Sequence, residues 1–132
     1  MATIPFDLVS PEQLLFNDEV GMIIVPGKDG DIGVLPGHSK VLSSLRPGRV
    51  MLYTEDKNLL KSFFVKSGFV EINPEKCIVL AEAADEMSSL DKSILEKEAQ
   101  ELEGQDSDES KFQLSIVNSK IEALNSTYYE KI

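Results

Sequence analysis

The chain has 132 residues, with 13 Lys and Arg against 23 Asp and Glu, for a formal charge of −10. That length suits one compact domain, or a small domain with an appendage, and 42% hydrophobic residues can bury a core, which excludes global disorder. A chain this acidic repels phosphate backbones and anionic lipid, so no nucleic-acid partner is expected.

One Cys cannot form an internal disulfide, and one Cys with one His cannot build a zinc site. No apolar run approaches the ~18 residues that span a bilayer, so no direct membrane insertion is expected. The opening residues Met-Ala-Thr-Ile-Pro-Phe-Asp lack both a basic region before an apolar stretch and an Arg- and Ser-rich character. Neither a signal peptide nor a transit peptide is expected, and a soluble protein of a reducing compartment follows.

The charge is uneven. Residues 1–84 hold 11 acids and 8 bases, a charge of −3, and residues 85–132 hold 12 acids and 5 bases, a charge of −7. All 6 Pro lie at or before Pro74, and 7 of the 8 Gly lie at or before Gly68. Two differently built parts are expected, 1–84 and 85–132.

The first part reads as short strands. Residues 4–9 alternate around Phe6 and Leu8 and end at Ser10-Pro11. Residues 20–25 are almost continuously apolar up to Pro26-Gly27, the pattern of a strand buried on both faces. Residues 32–35 are a brief apolar stretch. Residues 50–53 form a strand after Pro47-Gly48, the turn 54–58 follows, and 59–66 returns. Residues 68–72 and 77–81 flank the turn Asn73-Pro74-Glu75-Lys76, a hairpin signature. This spacing predicts an antiparallel β-sandwich of about ten strands.

After Ala83 the period changes. Ser88 and Ser89 offer N-caps, with acid following at Asp91. Leu95, Ala99 and Leu102 make a helical stripe, with Leu90 and Ile94 close to it, and Gly104 ends the helix. Residues 105–110 are a polar connector. Leu114, Val117, Ile121, Leu124 and Tyr128 then form a narrow seam on a second helix. Two such helices predict an antiparallel hairpin, marginal alone and in need of a docking site.

Residues 25–48 carry the densest motif: Val-Pro-Gly-Lys-Asp-Gly-Asp-Ile-Gly-Val-Leu-Pro-Gly-His, then Leu45-Arg46-Pro47-Gly48. The glycine spacing fits neither a P-loop nor a dinucleotide fingerprint, and tight turns explain it better. His38, the single imidazole, could pair with Asp31 or Asp29 and with Ser39 or Ser43 as a hydrolytic set, but no nucleophile elbow fixes that geometry. A surface or interface histidine is the stronger reading. Cys77 lies in an apolar strand, as a buried thiol would. The acids Glu96, Glu98, Glu101 and Glu103 lack calcium-loop spacing and read as a solvated helix face.

The motif from Val25 to His38, with Leu45 to Gly48, resembles the family of epsilon subunits of bacterial-type rotary ATP synthases, equivalent to the mitochondrial delta subunit. Leu8-Val9-Ser10-Pro11-Glu12 with Leu15-Phe16, Gly68-Phe69-Val70-Glu71-Ile72, and Val79-Leu80-Ala81-Glu82 resemble it too, so the likeness covers essentially the whole chain. It implies a non-catalytic central-stalk subunit without a cofactor, peripheral at the cytoplasmic face of a bacterial inner membrane. The sandwich would clamp to a gamma subunit and rest on the ring of c subunits, coupling proton-driven rotation to ATP synthesis. The match implies that Asp29, Gly30 and Asp31 face the ring. It sets Ser10 and the stretch from His38 through Ser39, Val41, Leu42 and Ser43 to Leu45 towards gamma. Val41, Leu42 and Leu45 form an apolar strip that could equally complete the core.

In several family members the hairpin also regulates, inhibiting hydrolysis when it extends to the alpha and beta subunits. Some members bind ATP through an Ile/Leu-Asp-x-x-Arg-Ala motif. Here Leu90 and Asp91 begin it, but Ile94 stands where Arg belongs, and the chain's only arginines are Arg46 and Arg49. The expectation is weak inhibition and no tight ATP binding. The alternative is an ATP-sensing regulatory subunit whose extended hairpin inhibits hydrolysis.

Overall fold

A computed structural model describes residues 3–126 of the chain. Ten strands come first: β1 (Ile4–Val9), β2 (Leu14–Val20), β3 (Met22–Gly27), β4 (Gly30–Val34), β5 (Val41–Leu45), β6 (Gly48–Tyr53), β7 (Leu59–Val65), β8 (Gly68–Asn73), β9 (Lys76–Ala81) and β10 (Ala84–Glu86). A 3-10 turn, Met87–Ser89, leads to two helices, α1 (Lys92–Glu103) and α2 (Asp108–Asn125). The expected β-sandwich followed by a helical hairpin is what forms.

The strands run in the order β10-β7-β6-β3-β5-β8-β9-β1-β2, with β4 paired to β3. Every pair is antiparallel except β1 with β9. β3 and β5 share a single register pair, Gly27 opposite Leu45. At that joint the sheet folds into two layers. Phe16 of β2 meets Phe63 of β7 edge-on at 6.3 Å, although β2 and β7 lie near opposite ends of the order. Between the layers sits one core that includes Phe6, Leu8, Ile23, Val25, Val50, Leu52, Val70 and Val79, all with no exposed surface.

Three strands escape the pattern reading. β2 carries Asn17, Asp18 and Glu19 on exposed positions, charges that suit an edge strand but mask its periodicity. β5 looks like an apolar strip, and β10 is three residues long. The predicted strand 20–25 is instead broken at Gly21, where a Cβ would lie 2.5 Å from Thr54 O. β3 itself is covered on both faces as expected: Ile23 and Val25 face the main core, while Met22 and Ile24 pack with Met51 and Tyr53. β10 pairs with β7 through Glu86, so the sheet runs two residues past the expected boundary at 84.

Asp91, rather than Ser88 or Ser89, caps α1. Its carboxylate accepts from the Ser93 and Ile94 amides at 2.9 and 3.3 Å, placing an anion at the positive end of the helix. The serines are taken up by the 3-10 turn. Gly104 ends α1. α2 starts at Asp108, inside the expected connector, because Ser107 Oγ accepts from the Ser110 amide. Leu114, Val117, Ile121 and Leu124 pack on Leu95, Ala99 and Leu102.

 The α1 side of that seam is therefore Leu95, Ala99 and Leu102, as the stripe predicts. Ile94 departs from the stripe and is 64% exposed. Tyr128 lies outside the described residues.

α2 has a second apolar face that the narrow seam does not suggest. Ile116 and Ala123, seven residues apart, pack with Met87 against Phe64 on the outer face of β7. Lys120 ties the same junction, lying 3.2 Å from Asp85 and 5.8 Å above the Phe64 ring. The sandwich itself is thus the hairpin's docking site.

The other layer is riveted on its outer face by Asp7 of β1. Its carboxylate pairs with Lys76 of β9 at 2.9 Å and accepts from Asn17 of β2 at 2.5 Å, so one side chain joins three strands. Hydrogen bonding to Lys76 is the chief cause that lowers the Asp7 pKa from 3.8, against the opposing effect of burial. A pKa lowered by folding adds stability above the unfolded value, and that increment is lost as pH falls through the folded value. Asp7→Asn should therefore lower the urea midpoint by a constant amount above about pH 5. The gap to the parent should close as pH falls below about 4, as chemical denaturation across pH will show.

Candidate docking surfaces

Successive strand residues face opposite sides, and β5 shows the consequence. Leu45 is buried in the core, Val41 packs partly against it, and Ser43 lies opposite the buried Val70. Leu42 points the other way and is 75% exposed. The apolar strip expected to face a partner is therefore split: Val41 and Leu45 complete the sandwich, and Leu42 alone of the three is offered outward.

Leu42 has company that the sequence reading missed. Ser44 of β5, Phe69 of β8, Leu80 of β9, Val9 of β1 and Leu14 of β2 are paired in turn, a continuous row across the outer face of five strands. Phe69, Leu80 and Leu14 are 54%, 51% and 57% exposed. A sheet face left to water normally alternates polar outward. Large apolar residues at outward positions were the available signal. All of this row but Leu14 borders a cavity of about 770 Å³, lined by Phe69, Leu80, Leu45, Ser10, Ser44 and Glu82, among others. Ser67 Oγ donates to Glu82 at 2.6 Å on its rim.

The remaining expected gamma-facing residues lie apart from that cavity. His38 and Ser39 are on the β4–β5 connection, where the Gly37 amide donates to Pro74 O in the β8–β9 turn, at the far end of β5 from Ser10. His38 Nδ1 lies 2.7 Å from Ser39 O. Asp31 is at the start of β4 and Asp29 in the turn before it, with the rest of β4 between them and His38. The structure does not assemble the hydrolytic set of His38 with those acids.

Asp29 and Gly30 form the exposed tip of the β3–β4 turn, where Gly30 takes φ +145°. Asp31 Oδ1 accepts from Arg46 Nη2 at 2.5 Å. Pro47, Gly48 and Arg49 continue from Arg46 towards the end of α2, where Arg49 Nη1 approaches Ser126 O at 3.4 Å. Between them is a cleft of about 480 Å³ whose walls include Asp31, Arg46, Arg49 and Glu122.

In the degenerate nucleotide motif, the Asp91 carboxylate is occupied as the α1 cap. Leu90 packs between the hairpin and the sandwich, and Ile94 faces solvent. Cys77 is fully buried, and burial pushes its thiol up to about 12, so it holds no thiolate at neutral pH. Among the described residues, no three His, Cys, Asp or Glu side chains gather as a metal site would need. No helix among them is long and apolar enough to cross a membrane.

Comparison with known proteins supplies the lineage. Residues 3–87 match the family described as ATP synthase, Delta/Epsilon chain, beta-sandwich domain. An ATP synthase epsilon chain of Rhodospirillum rubrum is 46% identical over 88 residues, 67% of this chain and 65% of that one. That of Parvibaculum lavamentivorans is 43% identical over 93 residues, 70% of each. That of Granulibacter bethesdensis is 31% identical over 124 residues, 94% of this chain and 91% of the relative. A chain in the cryo-EM structure of the Euglena gracilis mitochondrial ATP synthase shares the fold, with a TM-score of 0.79 at 21% identity over 94% of this chain and 80% of that one. With a match through nearly all of the sandwich, and with relatives of the same kind that extend into the hairpin, the chain belongs to the ATP synthase epsilon-chain family.

Proposed function

We propose that the chain is a non-catalytic rotor subunit of the central stalk, coupling proton-driven rotation of a c ring to ATP synthesis. The observation that carries this reading is the apolar row Phe69, Leu80, Val9 and Leu14, flanked by Leu42 on an outer sheet face. Such a row gains stability by meeting a partner, and the partner of this reading is the gamma subunit. Ser10 and Ser44 supply polar groups beside it. The β3–β4 turn, with Asp29, Gly30 and Asp31, meets the ring. The sandwich thus bridges gamma and ring without a reaction centre of its own, peripheral at the cytoplasmic face of a bacterial inner membrane.

The hairpin inhibits hydrolysis weakly in this reading. Residues 85–132 carry −7, and of the two lysines described on α2, Lys120 is engaged by Asp85 while Lys111 lies beside the fully exposed Asp106. A hairpin so charged is poorly matched to an acidic segment of a catalytic head. The same charge, with Asp91 occupied as a cap, opposes tight ATP binding.

Three measurements check this reading. Leu42→Glu sits at an exposed position and should leave the melting temperature nearly unchanged, while weakening gamma binding by roughly 10–100-fold. Equal affinity of the parent and the variant would count against the interface. Truncation after Ser89 spares Glu86, which pairs with Phe63 in the sheet. In the assembled enzyme it should leave the hydrolytic rate nearly unchanged, and a several-fold rise would show that the hairpin inhibits strongly. Calorimetry of the full chain with ATP should show no micromolar binding; saturation in that range would favour a nucleotide sensor.

A further inference from the structure

We propose that Arg46 is a positioning residue for the 28–31 turn, fixing the Asp31 carboxylate and the turn tip in the orientation that meets the ring. This rests on the ring-facing reading above.

The turn is weakly held by everything else. β4 pairs only with β3, and two of its five residues are glycine. At Gly30 and Gly33 a Cβ would find nothing within 4 Å, so neither position meets packing. Local order in such a segment depends on a few identifiable contacts. Two are main-chain bonds to the β5 end: the Lys28 amide donates to Ser44 O at 2.9 Å, and the Arg46 amide donates to Pro26 O at 3.0 Å. The third is the Arg46 side chain. Its Nη1 donates to Gly27 O and its Nη2 to Asp31 Oδ1, both at 2.5 Å. One planar guanidinium thereby spans the two ends of the turn, reaching the last residue of β3 and the second residue of β4. A lysine has the charge but lacks this fork.

The pair is too exposed to govern global stability, with the Arg46 and Asp31 side chains 42% and 29% exposed. Its effect is therefore local. Asp31 Oδ1 is engaged by Arg46, and its second oxygen has no partner among the described residues. Asp29, at the tip, is exposed. The fork thus sets which acidic groups the turn presents and at what angle.

Amide exchange on the full chain tests the positioning. Arg46→Ala should speed exchange at residues 28–31 by roughly 10-fold, leave the core strands β8 and β9 unchanged, and be partly rescued by Arg46→Lys. Unchanged exchange at 28–31 would overturn the proposal. The assembled enzyme tests the consequence, using Asp29→Cys and a cysteine in the ring's polar loop. The buried Cys77 thiol does not compete. Cross-linking should form in the parent background and slow several-fold with Arg46→Ala. A cross-link equally fast with and without Arg46 overturns the proposal, whereas no cross-link in the parent overturns the ring-facing reading on which it rests.

Discussion

The two layers of the sandwich meet in register at one residue pair, Gly27 opposite Leu45. The rest of the architecture depends on that narrow joint. A Cβ on residue 27 would lie 2.6 Å from Gly30 O and 2.9 Å from Ile32 Cδ1, so only glycine lets β3 turn back so tightly while touching β5. Leu45 occupies the core side of the joint and is buried there. Because the layers part at this point, the turn after β3 ends beside the turn after β5. Arg46 can then reach Gly27 and Asp31 together. The joint also frees β6 and β7 to face one way and β8 and β9 the other over a common core.

The two outer faces have opposite fates. Over β7, Phe64 is covered by Met87, Ile116 and Ala123. Over β8 and β9, Phe69 and Leu80 remain about half exposed. Burying a large apolar side chain contributes about 1.5–3 kcal/mol, so an outward row of several such residues holds a sizeable reserve of association energy. Net charge does not oppose its use, since most of the excess acid lies in residues 85–132.

The sandwich was largely legible because its strands are short, apolar and bounded by Gly and Pro. What escaped notice had physical reasons. β2 hid behind its edge charges. β5 is ambiguous because Val41, Leu42 and Leu45 are alike in sequence, and only the two-residue period of an assigned strand separates inward from outward. Ile116 and Ala123 fall off the α2 seam because that helix serves two partners, and a single-face template discards the second. Gly27 and Gly30 form the tight β3–β4 turn as their spacing suggests, whereas Gly33 lies inside β4, and the Arg46 fork joins positions that only the sheet topology brings together. The outward row over β8 and β9 needed the register of five strands before its members became neighbours.

The attachment of α1 follows from this arrangement. Its buried residues Leu95, Ala99 and Leu102 belong to the cluster with α2, and that cluster contains no sandwich strand. α1 is therefore held to the sandwich largely through α2 and through Leu90, which packs in both hairpin clusters. Leu124 is shared in the same way. Docking and hairpin formation are thus coupled: lifting α2 from Phe64 removes contacts from Leu90 and Leu124, which also steady the α1–α2 seam. Undocking also breaks the Lys120–Asp85 pair and bares Asp85 on β10. The folded arrangement is consequently one cooperative unit, in which Leu90 and Leu124 serve both hairpin formation and docking.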